Sequence, residues 1–373
     1  MIKRPWFVFV ILAVFILMVG AACSAGASAS TATPEPAPTS KPLPTAEPKP
    51  TSALPKPSLP TQGAAPANAP FDLDTTVYEH PSGTFSFNPP VGWTPEEGQS
   101  GVVFTNPDGT AKIDFSATNT GAELDSAGLE TFIKATEENY FGWRTDYQQV
   151  DYNFDKSNSN ALVAKSFTDD NGTDQKVFTY YLQNGQGVYS FDFWAEGDIA
   201  SDYKDPYANL LGTINVNGTK AADLPVYNFI YTFTDKNNNF QFEVPLSWTY
   251  AYDESKNAYT DTFTSPDGHA VMQNISYDDG TTFTKSDAGA TALNILNQTY
   301  TSGAGDIKVT GDVVQADGSE RLDWTSKKGN FSGESFFETR GTTFLMLSLL
   351  FDEGYSDVYG PVFDNTLNTY AVP

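Results

Sequence analysis

The chain has 373 residues, enough for two or three domains, and 27 Phe with 19 Tyr that fall almost wholly after Pro70. Its 46 Asp and Glu against 21 Lys and Arg leave a net charge of −25, which repels phosphate backbones and excludes a nucleic-acid partner. The single cysteine, Cys23, excludes an intramolecular disulfide, so the fold must rest on its hydrophobic cores.

Residues 1–23 read as an export signal. Lys3 and Arg4 form a basic start, and Trp6 to Val19 form an apolar run of 14 residues. That run is short for a membrane span, which needs about 20 residues, and suits a signal-peptide core. Gly20, Ala21 and Ala22 lead directly to Cys23. The segment resembles the bacterial lipoprotein signal, in which the cysteine thiol is acylated and the bond before it is cut. It departs from that pattern at Gly20, where such signals usually carry Leu. An uncleaved anchor and plain secretion are the alternatives. The resemblance implies a signal peptide over 1–22, palmitate-type lipidation at Cys23, and a body on the extracytoplasmic face of a bacterial envelope. Two acyl chains make such a tie stable, because each buried CH₂ contributes about 0.8 kcal/mol.

Residues 23–70 form a Pro-, Ala-, Ser- and Thr-rich linker without aromatic residues, and 12 of the 24 prolines lie in it. It has too little apolar surface to offset the entropy of ordering, so a disordered linker is expected. At about 3.1 Å per residue in polyproline II it reaches roughly 150 Å.

The remainder repeats itself. Phe85-Ser-Phe87-Asn-Pro-Pro90-Val-Gly-Trp93 matches Phe240-Gln-Phe242-Glu-Val-Pro245-Leu-Ser-Trp248, 155 positions on. Phe104-Thr-Asn-Pro107-Asp-Gly109 matches Phe263-Thr-Ser-Pro266-Asp-Gly268, and Tyr207, Leu211, Ile214 and Val216 match Phe363, Leu367, Tyr370 and Val372. Drifting offsets mark small loop insertions in a duplicated unit. Two domains are therefore expected, 71–219 and 220–373.

Within each unit, alternation places Phe85 and Phe87, or Phe240 and Phe242, on one strand face. Pro-Asp-Gly is hairpin chemistry, because Pro presets φ and Gly accepts positive φ. A return strand follows, carrying Ile113 and Phe115, or Met272, Ile275 and Tyr277. A helix comes next: Asp125 or Ser126 caps Leu129, Phe132, Ile133, Thr136 and Tyr140, and Ser286 or Asp287 caps Ala292, Leu293, Leu296 and Tyr300. Strands are expected at Ala161–Thr168, Lys176–Gln183 and Val188–Ala195, and at Glu320–Ser326, Gly333–Thr339 and Thr343–Phe351. The Asn-Gly pairs at 171–172 and 184–185 mark turns. Short helices Pro206–Leu211 and Pro361–Leu367 close the units. Each unit is thus an α+β domain, an antiparallel sheet flanked by helices.

The F-x-F-x-x-P-x-x-W pattern, the F-x-x-P-D-G hairpin and the helix after it resemble the PsbP-like family, over about residues 72–217 and 226–373. The resemblance implies a central antiparallel sheet with flanking helices. These motifs are core and turn residues and carry over no catalytic residue, and fold does not imply function.

Chemistry is sparse in the sequence. His80 and His269 occupy unmatched repeat positions, without an acid–base partner nearby in sequence. With Cys23 lipidated, thiolate catalysis and thiolate metal sites are excluded. Neither G-x-S-x-G nor a phosphate loop occurs. Ser201-Asp-Tyr-Lys204 fits S-x-x-K without its K-T-G partner. Asp169–Asp174 and Asp235–Asn239 hold oxygen ligands but complete no calcium loop; such clusters ordinarily form turns. Sequons begin at Asn171, Asn217, Asn274, Asn297 and Asn330, which matter little behind a bacterial signal. Trp143, Trp194 and Trp324 with Tyr180, Tyr181, Tyr189 and Tyr203 suit a core better than a groove; aligning Trp194 with Phe351 and Trp324 with Phe167 gives core positions. No metal or cofactor is expected. The expected function is a non-catalytic binding or accessory role, with the membrane as one partner through Cys23 and an envelope protein or small ligand as another. An envelope-polymer hydrolase would need two carboxylates facing each other across a cleft, about 5–10 Å apart. A purely structural spacer would lack a concave site.

Overall fold

The computed structural model describes residues 71–373 apart from 198, 302–304, 317 and 373. The expected signal peptide, Cys23 and the linker lie outside the described residues. No helix among those described is long and apolar enough to cross a membrane.

The chain runs β1 (Tyr78–Glu79), β2 (Phe85–Phe87), β3 (Thr94–Glu97), β4 (Gly101–Thr105), β5 (Ala111–Asn119), α1 (Ser126–Phe141), β6 (Thr145–Asp155), β7 (Asn160–Thr168), β8 (Asp174–Asn184) and β9 (Gly187–Glu196). A 3₁₀ turn, Ala200–Tyr203, then leads into α2 (Lys204–Leu211), β10 (Asn215–Val216) and α3 (Gly218–Ala221). A second series follows: β11 (Ile230–Thr234), β12 (Gln241–Pro245), β13 (Thr249–Glu254), β14 (Ala258–Thr264), β15 (Ala270–Asp278), α4 (Lys285–Thr301), β16 (Ile307–Val314), β17 (Glu320–Ser326), β18 (Phe331–Arg340), β19 (Thr343–Asp352) and α5 (Ser356–Thr369). The architecture is mostly sheet with few helices. Two seven-stranded antiparallel sheets share one topology, β3-β4-β5-β9-β8-β7-β6 and β13-β14-β15-β19-β18-β17-β16.

Strand alternation builds two layers on the first sheet. Ile113, Phe115, Phe191 and Phe193 meet Phe85, Phe87, Tyr207 and Leu210 on one face, and α1 covers the other. Asp125 caps α1 by accepting from the Gly128 amide at 2.8 Å. The helix α4 begins at Lys285, ahead of the expected Ser286 or Asp287 cap. Thr284 and Asp287 cap each other's amides, a reciprocal box that moves the boundary forward.

The shared tryptophans sit in matching surroundings. Trp93 packs edge-on against Phe71 at 5.1 Å and Tyr203 at 6.4 Å. Trp248 packs edge-on against Tyr227 at 6.0 Å and Tyr359 at 5.8 Å. Register corrects two alignments, however. Ala111 pairs with Ala195 and Ala270 with Phe351, so Trp194 corresponds to Leu350. Following Asp192 to Thr179 to Val163, and Ser348 to Ser335 to Leu322, places Trp324 opposite Lys165 in the scheme, with Phe167 opposite Ser326. Loop insertions hid a slip of one residue in the first alignment, which reverses the strand face, and of two residues in the second, which keeps it.

Strands β6 and β16 were not expected. They are sheet edges, exposed along most of their length, so they lack the apolar alternation that marks a half-buried strand. The closing helices also extend beyond expectation, and α5 accommodates Pro361 inside it.

The two sheet units share a core. Leu129, Phe132 and Ile133 of α1 join one apolar cluster with Tyr227, Trp248 and Tyr359. Asn139 of α1 donates to the carbonyls of Leu246 (2.7 Å) and Trp248 (2.9 Å). Asn119 donates to Leu224 O at 2.7 Å, and its own carbonyl accepts from the Tyr227 amide at 2.7 Å. At Gly121, φ is +75° and a Cβ would come within 2.5 Å of Val358, so the approach of the units requires glycine.

Candidate functional site

The face of the first sheet beneath α1 is not apolar. Along β5 it presents Lys112, Asp114, Ser116 and Thr118, and along β9 Ser190, Asp192 and Trp194. The register sets Asp114 directly across from Asp192, and Ser116 across from Ser190. Such facing pairs hold their Cβ atoms about 5 Å apart. From above, Phe132, Thr136 and Tyr140 of α1 face these residues at helical spacing. Phe229, Leu246 and Ser247 of the second unit close the side. A recess of about 60 Å³ remains.

Burial pushes the Asp114 carboxyl up to about 6; Lys112 opposes that rise and the charge of Asp192 adds to it. Burial also raises Asp192, although Lys165 works against it. Ser190 Oγ lies 3.2 Å from Asp192 Oδ1. Deeper in, Lys165 Nζ makes a two-pronged contact with Glu137, at 2.5 and 2.7 Å. Tyr181 OH donates to the same carboxylate at 2.7 Å, and the Phe141 ring centre lies 3.6 Å from the ammonium. Burial lifts Glu137 and lowers Lys165, and their mutual attraction opposes both shifts. Thr136 Oγ1, on the wall of the recess, has no partner, whereas the Thr179 hydroxyl, across the ladder from Asp192, bonds that carboxylate and works against its rise.

The second unit resolves the same ladder positions differently. Gln273, Ser348 and Ser335 stand where the first unit has Asp114, Asp192 and Thr179. Gln273 accepts from Tyr300 OH at 2.9 Å, Trp324 Nε1 donates to Ser335 at 2.9 Å, and Ser335 bonds Ser348 at 2.9 Å. That network is neutral and closed.

The residues weighed in sequence scatter. His80 is buried, held by Ser82 at 2.7 Å and Gly101 O at 3.1 Å and stacked on Phe85. His269 does have an acid partner, Asp352 at 2.8 Å, which sequence proximity concealed because it lies 83 positions away. Ser201 and Lys204 are both exposed. Asp169 accepts the amides of Asn171 and Thr173, and Asp235 those of Asn237, Asn239 and Phe240, so both clusters are turns. Among the described residues no three His, Cys, Asp or Glu side chains gather to hold a metal. Trp194, Trp324, Tyr181, Tyr189 and Tyr203 are buried; Trp143 stands exposed beside Arg144.

The second unit places its own polar pair on the opposite face. Asp261 and Asn274 face each other where the first unit packs Val102 and Phe115. Both are buried, and Asp261 Oδ2 and the whole Asn274 amide lack partners. Burial pushes the Asp261 carboxyl up to about 6 despite the hydrogen bond from Tyr250 OH at 2.6 Å. A carboxyl raised above its unfolded value near 3.8 holds its proton more tightly when folded. Stability from this group is therefore greatest below pH 4, falls as pH rises to about 6, and stays low above. Asp261→Asn is expected to stabilise the protein at pH 7.5 by up to about 3 kcal/mol, and by much less at pH 4.5. Denaturant midpoints of both proteins at the two pH values check this; equal differences at both would refute it.

No family model and no curated protein matches the chain. Solved structures resemble part of it. The cyanobacterial PsbP of Synechocystis sp. PCC 6803 is 14% identical over 39% of this chain and 93% of its own, with a TM-score of 0.32. A Bacteroides thetaiotaomicron protein is 16% identical, over 44% of this chain and 54% of its own, at 0.28. A Pseudomonas aeruginosa protein of unknown function, titled a putative regulator, is 11% identical over 39% and 98%, also at 0.28.

Proposed function

We propose that the chain is a lipoprotein of the bacterial envelope, anchored through Cys23 on the extracytoplasmic face, with tandem PsbP-like domains at 71–219 and 220–373 acting as a non-catalytic binding or accessory unit. The observation carrying this reading is the polar recess closed between the two units, a concave and preorganised place for a small guest. A spacer has no need of facing carboxylates there. One observation favours an envelope-polymer hydrolase, namely the directly opposed Asp114 and Asp192. The volume supports a small guest instead of a polymer: about 60 Å³ compares with roughly 300–1,000 Å³ for sites that enclose organic ligands.

The test joins location to activity. The wild-type protein should fractionate with membranes and incorporate radiolabelled palmitate, and Cys23→Ser should lose both. The purified full-length protein in detergent should release no soluble fragments from isolated cell wall. Soluble Cys23-bearing protein without label would remove the anchor; turnover abolished by Asp114→Asn would replace binding with catalysis.

A further inference from the structure

We propose that the chain's own segment 54–60, Leu54-Pro-Lys-Pro-Ser-Leu-Pro60, docks on an apolar shelf of the first unit made by Leu162, Phe178, Tyr180 and Leu182. This surface is separate from the recess and goes beyond the binding reading above.

The duplication singles out the shelf. Leu162, Ala164, Phe178 and Leu182 hold ladder positions that the second unit fills with Arg321, Asp323, Glu334 and Glu338. There the charges bond one another: Arg321 meets Asp323 at 2.8 Å and Glu334 at 3.4 Å. Its guanidinium also lies over the ring of Phe336, the counterpart of Tyr180. The fold therefore accepts a charged, solvated face at this place, and the first unit carries an apolar one. Leu162 is 41% exposed, and Phe178, Tyr180 and Leu182 are half-buried at the margin of the first unit's core. Apolar side chains gathered on a face that the fold can make polar mark an interaction surface.

The occupant follows from where the described residues begin. The Phe71 ring lies 6.0 Å from Tyr203, Tyr203 lies 5.1 Å from Phe193, and Phe193 stands beside Phe178 on the neighbouring strand. At about 3.1 Å per residue, residues 61–70 span roughly 30 Å, enough to carry Pro60 from Phe71 to the shelf. Within 24–70 the only branched aliphatic side chains are Leu43, Leu54 and Leu59, and two of them fall in the segment. With three residues per turn of polyproline II, Leu54, Pro57 and Pro60 share one ridge. Proline-rich chain seats on aromatic-lined surfaces in this way, at low entropic cost. Lys56 is the only charge in 50–71, and Asp155, whose charge acts on the Tyr180 hydroxyl, offers it a partner at the rim. The net charge of −25 opposes the other occupants, a second copy and an anionic lipid surface. Docking takes up the end of the tether, so residues 24–53 alone set the reach from Cys23, roughly 90 Å instead of 150 Å.

Disulfide trapping in the full chain tests the assignment. With Cys23→Ser removing the native thiol, Ser58→Cys is paired with Asn160→Cys, which lies across from Leu182 at the rim and leaves the shelf intact. Mild oxidation should close this pair within one molecule, read by mass and by mobility on a non-reducing gel. Adding Leu182→Glu, the type of side chain that the second unit carries there, should slow closure by about tenfold or more. Should that variant lose its circular dichroism spectrum, Ala164→Asp takes its place with the same expectation. Absence of closure overturns the proposal, as does an unchanged rate in a folded charged-shelf variant. Disulfides formed only between molecules overturn it too, and assign the shelf to a second copy.

Discussion

Replacing Lys165 with alanine is expected to destabilise the protein by about 3–5 kcal/mol, because it strands the Glu137 carboxylate in a buried site. Both side chains are almost wholly removed from solvent. The tyrosine hydroxyl that remains, Tyr181, supplies one hydrogen bond but no charge. In a unit of this size such a loss lowers Tm by about 10 °C. The penalty should shrink as pH falls, since burial already raises Glu137 and its protonation then removes the stranded charge. The double variant Lys165→Met/Glu137→Leu should recover most of the loss, because well-packed apolar side chains often replace buried ion pairs at little cost. Equal damage from the single and double variants would show that shape, and not stranded charge, governs this site. Chemical denaturation of the three proteins at pH 7.5 and 5.5 separates the two outcomes.

That ion pair also marks the limit of what sequence patterning could reveal. Alternation in Ala161-Leu-Val-Ala-Lys-Ser-Phe167 puts Lys165 on the same face as Val163 and Phe167, so its burial was legible. Its partner was not, because Glu137 lies 28 residues away on a helix whose placement depends on the tertiary fold. Asp114 and Asp192 mislead more strongly. Each sits between large apolar residues, as Ile-Asp-Phe or Phe-Asp-Phe, and such a residue reads as the wet face of a half-buried strand. Only the docking of α1 and the second unit encloses that face. The repeat itself was plain, since its markers Phe85, Phe87, Trp93 and their counterparts are core residues whose spacing survives loop changes. Edges were not: β6 and β16 pair with their neighbours without apolar alternation.

The second unit's tryptophan is where repeat and interface meet, which gives Trp248→Ala an effect of about 3–5 kcal/mol. Its indole is completely buried against Tyr227, Tyr359 and Phe363. Its carbonyl and that of Leu246 receive the Asn139 amide from α1. Truncation therefore leaves a cavity in the core that α1 shares, and the loop closing the recess loses its support. Trp93 packs within the matching triad of the first unit, against Phe71 and Tyr203, and Val91 in the loop beside it is exposed. Amide hydrogen exchange distinguishes the two sites. In Trp248→Ala, protection should fall within α1 as well as in the second unit, whereas Trp93→Ala should leave α4 as protected as in the wild type. If α1 keeps its full protection in Trp248→Ala, the units fold independently and the recess does not depend on their contact.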